Sequence, residues 1–100
     1  LPIVVVIDNN GGLDCISQQQ ERLFSNGKHY ATDFRDIPFH TMFEGMGGHG
    51  ELVEKPEDLK AALERALSSG KTACVNVRTR SAISPIVLAT TSKRDKASIE

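Results

Sequence analysis

The chain holds 100 residues, 39% hydrophobic and 25% charged, with a net charge of −1. That balance describes one small globular domain or part of a larger one rather than a disordered segment. Lys and Arg gather on no recognisable stripe, so no nucleic-acid footprint is expected. The longest apolar run, Ile3 to Ile7, is far too short to span a bilayer.

Leu1 to Ile7 is apolar without interruption and stops at Asp8-Asn9-Asn10-Gly11-Gly12. Such a tract predicts a strand buried on both faces, the usual state in a parallel sheet. In open parallel sheets ligands bind beyond the carboxyl ends of the strands, which makes the Asn-Asn-Gly-Gly corner the first candidate site. The amide oxygens of Asn9 and Asn10 are hard, neutral ligands suited to magnesium or calcium. Gly11 and Gly12 carry no Cβ, so a phosphate-bearing ligand could approach the backbone closely. The tract has no basic n-region before it and no small-residue cleavage site after it. It does not read as a signal peptide, and a cytoplasmic location is expected.

Leu13 to Phe24 is the next predicted helix, rich in good helix formers at Gln18-Gln19-Gln20-Glu21-Arg22 and stopped by Ser25-Asn26-Gly27. Lys28 to Arg35 reads as a connecting loop. Asp36-Ile37-Pro38 predicts a helix start, with Asp36 near the cap and Pro38 in the first turn. Phe39, Met42, Phe43 and Met46 follow at helical spacing and are expected in the core. Gly45, Gly47 and Gly48 end that helix, and Glu51 to Glu54 is a short strand. Pro56 then opens the clearest helix, with Leu59, Ala62, Leu63, Ala66 and Leu67 as its apolar face and Gly70 at C′. Thr72 to Val77 reads as a second buried strand. Ser84-Pro85 starts a short helix through Leu88, and Thr90 to Glu100 is expected to be a mobile tail.

The order strand, helix, helix, strand, helix, strand predicts an α/β fold. We expect a partial three-layer domain with a mostly parallel sheet flanked by helices. A first strand covered on both faces needs neighbours that this chain does not supply, so the segment is expected to be the C-terminal piece of a larger domain. Cys15 and Cys74 are expected to be buried or half-buried free thiols, Cys74 in the core. His29, His40 and His49 lack paired spacing and read as surface or satisfied histidines. Gly47-Gly48-His49-Gly50 reads as a tight turn, not a phosphate loop. Ser81 and Ser84 have no base at motif spacing.

Three stretches together carry a family resemblance: LPIVVVIDNNGGL, MFEGMGGHGELVEKPEDLKAALERAL and SGKTACVNV. From Leu1 to about Arg78 the chain resembles the C-terminal part of the pyrophosphate-binding domain of thiamine-diphosphate-dependent enzymes. The nearest-looking group holds acetolactate synthases, oxalyl-CoA decarboxylases, 2-hydroxyacyl-CoA lyases and benzaldehyde lyase. Residues 1–78 would form that part-domain and residues 79–100 a C-terminal tail.

The resemblance implies thiamine diphosphate and Mg2+ as cofactors. It implies that the side-chain oxygen of Asn10 and the main-chain carbonyl of Gly12 ligate the metal, with Gly11 and Leu13 beside the diphosphate. No catalytic residue is assigned to this segment. An upstream Gly-Asp-Gly element, which supplies the third metal ligand, is missing, as is the domain that holds the aminopyrimidine and its activating glutamate. Neutral ligands cannot alone offset the ion's lost hydration, so the segment by itself is not expected to bind the cofactor measurably. The complete enzyme would act on a 2-oxoacid, an aldehyde or an acyl-CoA, breaking or forming C–C bonds next to a carbonyl. Its implied partners are the missing N-terminal domains and further copies of itself in a homo-oligomer. Pyruvate-decarboxylase-type members carry a glutamate where this chain has Ile16, which favours the lyase, ligase or CoA-substrate branch. The rival reading is a non-catalytic or degenerate α/β domain acting as an interaction module, with the Asn-Gly corner a mere turn. A flavodoxin-like ligand domain fits less well, because Asn9 to Asp14 lacks a hydroxyl-rich phosphate loop.

Overall fold

A computed structural model describes residues 1–91 and divides into two compact units. The first unit comprises residues 1–9 and 36–79. It holds strands β1 (Val4–Asn9), β2 (His49–Val53) and β3 (Ala73–Arg78), with helices α2 (Phe39–Gly45) and α3 (Leu59–Ser68). The second comprises residues 10–35 and, among those described, 80–91. It holds helices α1 (Asp14–Leu23) and α4 (Pro85–Thr91).

In the first unit the three strands run parallel in the order β1-β3-β2. Val4 lies opposite Ala73 and Asn9 opposite Arg78, while His49 lies opposite Ala73 on the other side of β3. β3 is therefore the middle strand, and Ala73, Cys74, Val75 and Asn76 are all buried. The α/β architecture with a parallel sheet and flanking helices is as the sequence predicts.

Burial of β1 is not. Val5 is 37% and Val6 53% exposed, because β3 is the single strand paired with β1 among the described residues. An apolar run that suits a central strand here forms an edge.

α3 closes the core. Ala62 and Ala66 are 1% exposed and pack with Val53, Ala73 and Val75; Leu59 and Leu63 pad the margin. Two alanines one helical turn apart let the helix axis approach the sheet closely. Burying Val53 and Val75 contributes about 1.5–3 kcal/mol each. Leu67, predicted on the apolar face, is 71% exposed, since it lies about 100° of rotation beyond Ala66. The first predicted turn, Pro56–Asp58, is a separate 3-10 turn.

α2 departs further from expectation. Asp36 is not its cap; Pro38 precedes the helix without a side-chain cap bond, and the Asp36 carboxylate pairs with Arg78. Met42 and Met46 are exposed rather than in the core. The reason is a close backbone approach along the opposite side of the helix. A Cβ on Gly50 would stand 2.4 Å from the carbonyl oxygen of His40, and one on Gly48 would stand 2.9 Å from that of Phe43. The side through His40, Phe43 and Glu44 therefore faces β2, and Met42 is turned away. His49 and Gly50, read as part of a turn, already belong to β2.

In the second unit α1 matches its predicted span to within a residue at each end, with Leu13 and Phe24 as caps. Its buried residues are polar: Ser17 and Gln18. Gln18 donates to the Ala82 carbonyl (2.6 Å) and to Asp14 (3.0 Å), and accepts from the Ser84 N–H (2.8 Å). Arg22 donates to the Thr91 hydroxyl at 2.6 Å. These bonds, with the burial of Val87 on α4, join the two helices. Thr90 and Thr91 belong to α4; the rest of the expected tail lies outside the described residues. No helix among the described residues is long and apolar enough to cross a membrane.

Candidate functional site

The two asparagines of the corner part company. Asn9 ends β1, and its amide nitrogen donates to Asn76 on β3 at 3.1 Å. Asn76 is wholly buried and donates in turn toward the Ile37 carbonyl (3.4 Å), with His40 Nδ1 at 3.2 Å. Asn9 is thus part of the sheet's own polar network.

Asn10 opens the second unit. The chain then passes through Gly11 at φ 84°, a left-handed conformation that favours glycine, and reaches Gly12. Gly12 is held by an antiparallel bridge to Asp33. The Leu13 N–H donates to the Thr32 carbonyl at 2.7 Å and the Phe34 N–H to the Gly11 carbonyl at 2.8 Å. This is the arrangement in which the central pair makes no bond of its own, so the N–H and C=O of Gly12 point away from Asp33. Among the described residues no hydrogen bond engages the Gly12 carbonyl or the Asn10 side chain. A Cβ on Gly12 would stand 2.5 Å from the Thr32 carbonyl oxygen, so glycine is what permits this contact.

Residues 29–34 form the other wall. Thr32 is 3% exposed, and its hydroxyl lies 2.5 Å from that of Ser17. Ala31 adopts a left-handed φ of 60°. His29 bridges two carboxylates, with Nδ1 2.6 Å from Glu21 and Nε2 2.8 Å from Asp33. The bonds to Asp33 and then Glu21 raise its pKa above the ordinary 6.5.

A cavity of about 210 Å³ opens here, lined by Asn10, Gly11 and Gly12 on one side and by Asp14, Glu21, His29 and Asp33 among others. Ser81 also lines it and donates to both oxygens of Asp14 at 2.9 Å. Two neutral oxygens of the lining residues, the Asn10 amide and the Gly12 carbonyl, are unengaged, whereas Asp14 accepts from Ser81 and Gln18, and Glu21 and Asp33 are tied to His29. Among the described residues no three His, Cys, Asp or Glu side chains gather to hold a metal ion, so a cation here would rely on neutral oxygens and on groups from outside this chain. Among the described residues no Lys or Arg lines the cavity.

Residues 1–77 match the family described as thiamine pyrophosphate enzyme, C-terminal TPP binding domain. The chain belongs to this family. Among curated relatives, a probable acetolactate synthase of Mycobacterium bovis is 40% identical over 78 residues. That stretch is 77% of this chain and 14% of the relative. The acetolactate synthase large subunit IlvG of Mycobacterium tuberculosis shows the same figures. A 2-hydroxyacyl-CoA lyase of Oryza sativa is 33% identical over 81 residues, again 77% of this chain and 14% of the relative. The chain thus spans about one seventh of the length of these relatives.

Of the four site residues expected of a thiamine pyrophosphate enzyme, the structure gathers Asn10, Gly11 and Gly12 on one cavity. Leu13 stands apart from the lining as the N-cap of α1 and is 43% exposed. Ile16, at the branch-marking position, is 44% exposed and also outside the lining. Sequence reasoning missed Asp14, Ser17, Gln18, Glu21, His29, Asp33 and Ser81. For His29 no spacing rule could have served, because its partners lie eight residues before it on α1 and four after it on a loop.

Proposed function

We propose that this chain is the part of a thiamine-diphosphate-dependent enzyme that helps hold the cofactor's diphosphate through Mg2+. The complete enzyme is then a lyase, decarboxylase or acetolactate-synthase type acting on a 2-oxoacid, an aldehyde or an acyl-CoA. When bound, thiamine diphosphate supplies carbanion stabilisation next to a carbonyl, so that C–C bonds there can break or form. This chain's residues contribute binding and orientation: the Asn10 amide oxygen and the Gly12 carbonyl as neutral metal ligands, with Gly11 giving the backbone its turn. The carboxylates of Asp14, Glu21 and Asp33 add negative charge around a cation. The remaining ligand and the other half of the site would come from the rest of the enzyme, and a homo-oligomer is the assembly this reading favours.

The observation that carries the reading is that Asn10 and Gly12 line one cavity while the amide of the first and the carbonyl of the second have no hydrogen bond among the described residues. The rival reading, a turn with no ligand role, does not call for two such groups beside three carboxylates. The test is Asn10→Ala in the complete enzyme, with activity titrated against Mg2+ and thiamine diphosphate. The half-saturating concentrations of both should rise at least about tenfold. An unchanged requirement would remove Asn10 from the ligand set and return the corner to a structural turn.

A further inference from the structure

We propose that His29 is a positioning residue for the metal-ligand corner: tied to Glu21 on α1, it holds Asp33 and the strap of residues 30–34 against Gly12, and so fixes the direction of the Gly12 carbonyl. This rests on the function proposed above.

The geometry is a chain of contacts with no gap. Both nitrogens of His29 face carboxylate oxygens, at 2.6 Å and 2.8 Å. A carboxylate offers no proton, so both ring nitrogens donate and the ring carries a positive charge. It stands between two negative groups that would otherwise repel across the cavity. From His29 the strap runs on under restraint. The Tyr30 N–H donates to Gln20 on α1 at 2.7 Å, and Ala31 is held in a left-handed conformation that alanine seldom adopts. Thr32 is bound through both its carbonyl and its hydroxyl. Asp33 then lies opposite Gly12, with the bonds on either side fixing which way the Gly12 carbonyl points.

Three of these restraints belong to backbone or buried groups and are local to one residue. Among the described residues His29 alone links the strap to the helix by charge, at the residue directly opposite the proposed ligand. Without it Asp33 loses its partner, Glu21 is left bare beside the cavity, and the strained Ala31 has less to hold it. The Gly12 carbonyl would then no longer be held in one direction.

The test uses the complete enzyme freed of cofactor, titrated calorimetrically with thiamine diphosphate at a fixed Mg2+ concentration. Wild type is compared with His29→Ala, His29→Arg, Asp33→Asn and Asn10→Ala, and the fold of each variant is checked by circular dichroism. His29→Ala should weaken binding about tenfold or more, the range seen when groups that orient metal ligands are removed. His29→Arg should recover most of that loss, because a guanidinium can bond both carboxylates. Asp33→Asn, which removes the charge from the other end of the same link, should weaken binding in the same direction as His29→Ala and serves if the latter does not fold. Binding by His29→Ala that is unchanged or tighter overturns the proposal, as does equal weakening in His29→Arg with the fold intact. If Asn10→Ala weakens binding and the His29 variants do not, the positioning role falls and the ligand role stands. If Asn10→Ala is also without effect, the site reading falls and this inference with it.

Discussion

Gly12→Ala isolates the close approach on which the corner depends. The new Cβ would stand 2.5 Å from the Thr32 carbonyl oxygen, against 3.4–4 Å for ordinary contact. The obstacle is backbone and cannot rotate aside. If the strap backs away by roughly an ångström, the 2.7 Å bond from Leu13 to Thr32 leaves hydrogen-bonding range. The 2.8 Å bond from Phe34 to Gly11 is strained in the same movement. Two such bonds at about 0.5–1.5 kcal/mol each give a loss of about 1–3 kcal/mol, in line with other overpacking substitutions. Gly11 is the control. A Cβ there meets nothing within 4 Å, but the φ of 84° penalises alanine by about 1–2 kcal/mol. Asparagine, which tolerates that conformation, should be milder than alanine at residue 11 and worse than alanine at residue 12. Thermal denaturation of the four variants of the complete enzyme gives the ranking, and cofactor titration shows whether the corner has moved. A Gly12→Ala protein as stable as wild type, with unchanged cofactor affinity, would refute the close contact between Gly12 and the strap.

Two further outcomes follow from the same structure. Glu51 has its pKa lowered, chiefly by the Arg65 guanidinium at 2.8 Å and further by His49, against the opposing effect of burial. A lowered carboxylate pKa contributes stability that is present above the ordinary value of 4.5 and is lost as the pH falls through the folded-state value. With Arg65 more than half exposed, solvent screens the pair and the effect is small. The melting-temperature difference between wild type and Glu51→Gln should close as the pH drops below about 4.5, and a difference that persists into strong acid contradicts the pairing. Cys15 is exposed on α1, contrary to the buried or half-buried thiol expected, whereas Cys74 is buried at the centre of the sheet with its pKa raised by that burial. Alkylation followed by mass spectrometry should label Cys15 in the native protein and Cys74 only after denaturation; equal labelling of both would contradict the central position of β3.

What could be read from the chain beforehand was periodicity and punctuation. The α3 helix was marked by Pro56, two acidic residues and Gly70, which does take a positive φ of 68°. The span of α1 was visible in its helix formers, and β3 in its β-branched run. Sidedness was less legible. An edge strand and a central strand can have the same apolar composition, so Val5 and Val6 gave no warning of their exposure. The methionine stripe of α2 misled because the side that faces β2 is decided by backbone contact at Gly48 and Gly50, where no side chain leaves a hydrophobic signal. At the site, Asn10 and Gly12 were marked by a local motif. The cavity's other wall was not, since Glu21, His29, Asp33 and Ser81 are brought together by a loop and by a segment more than sixty residues further on.

The place of β3 has a consequence for how the chain acquires its structure. The strand that joins the other two is the last of the three to be synthesised, and Thr72 just before it binds a carbonyl 71 positions upstream. Among the described strands, β1 and β2 meet no common partner until β3 has emerged. Loop closure of that length has to precede any gain from pairing, which places sheet formation late and makes it slow.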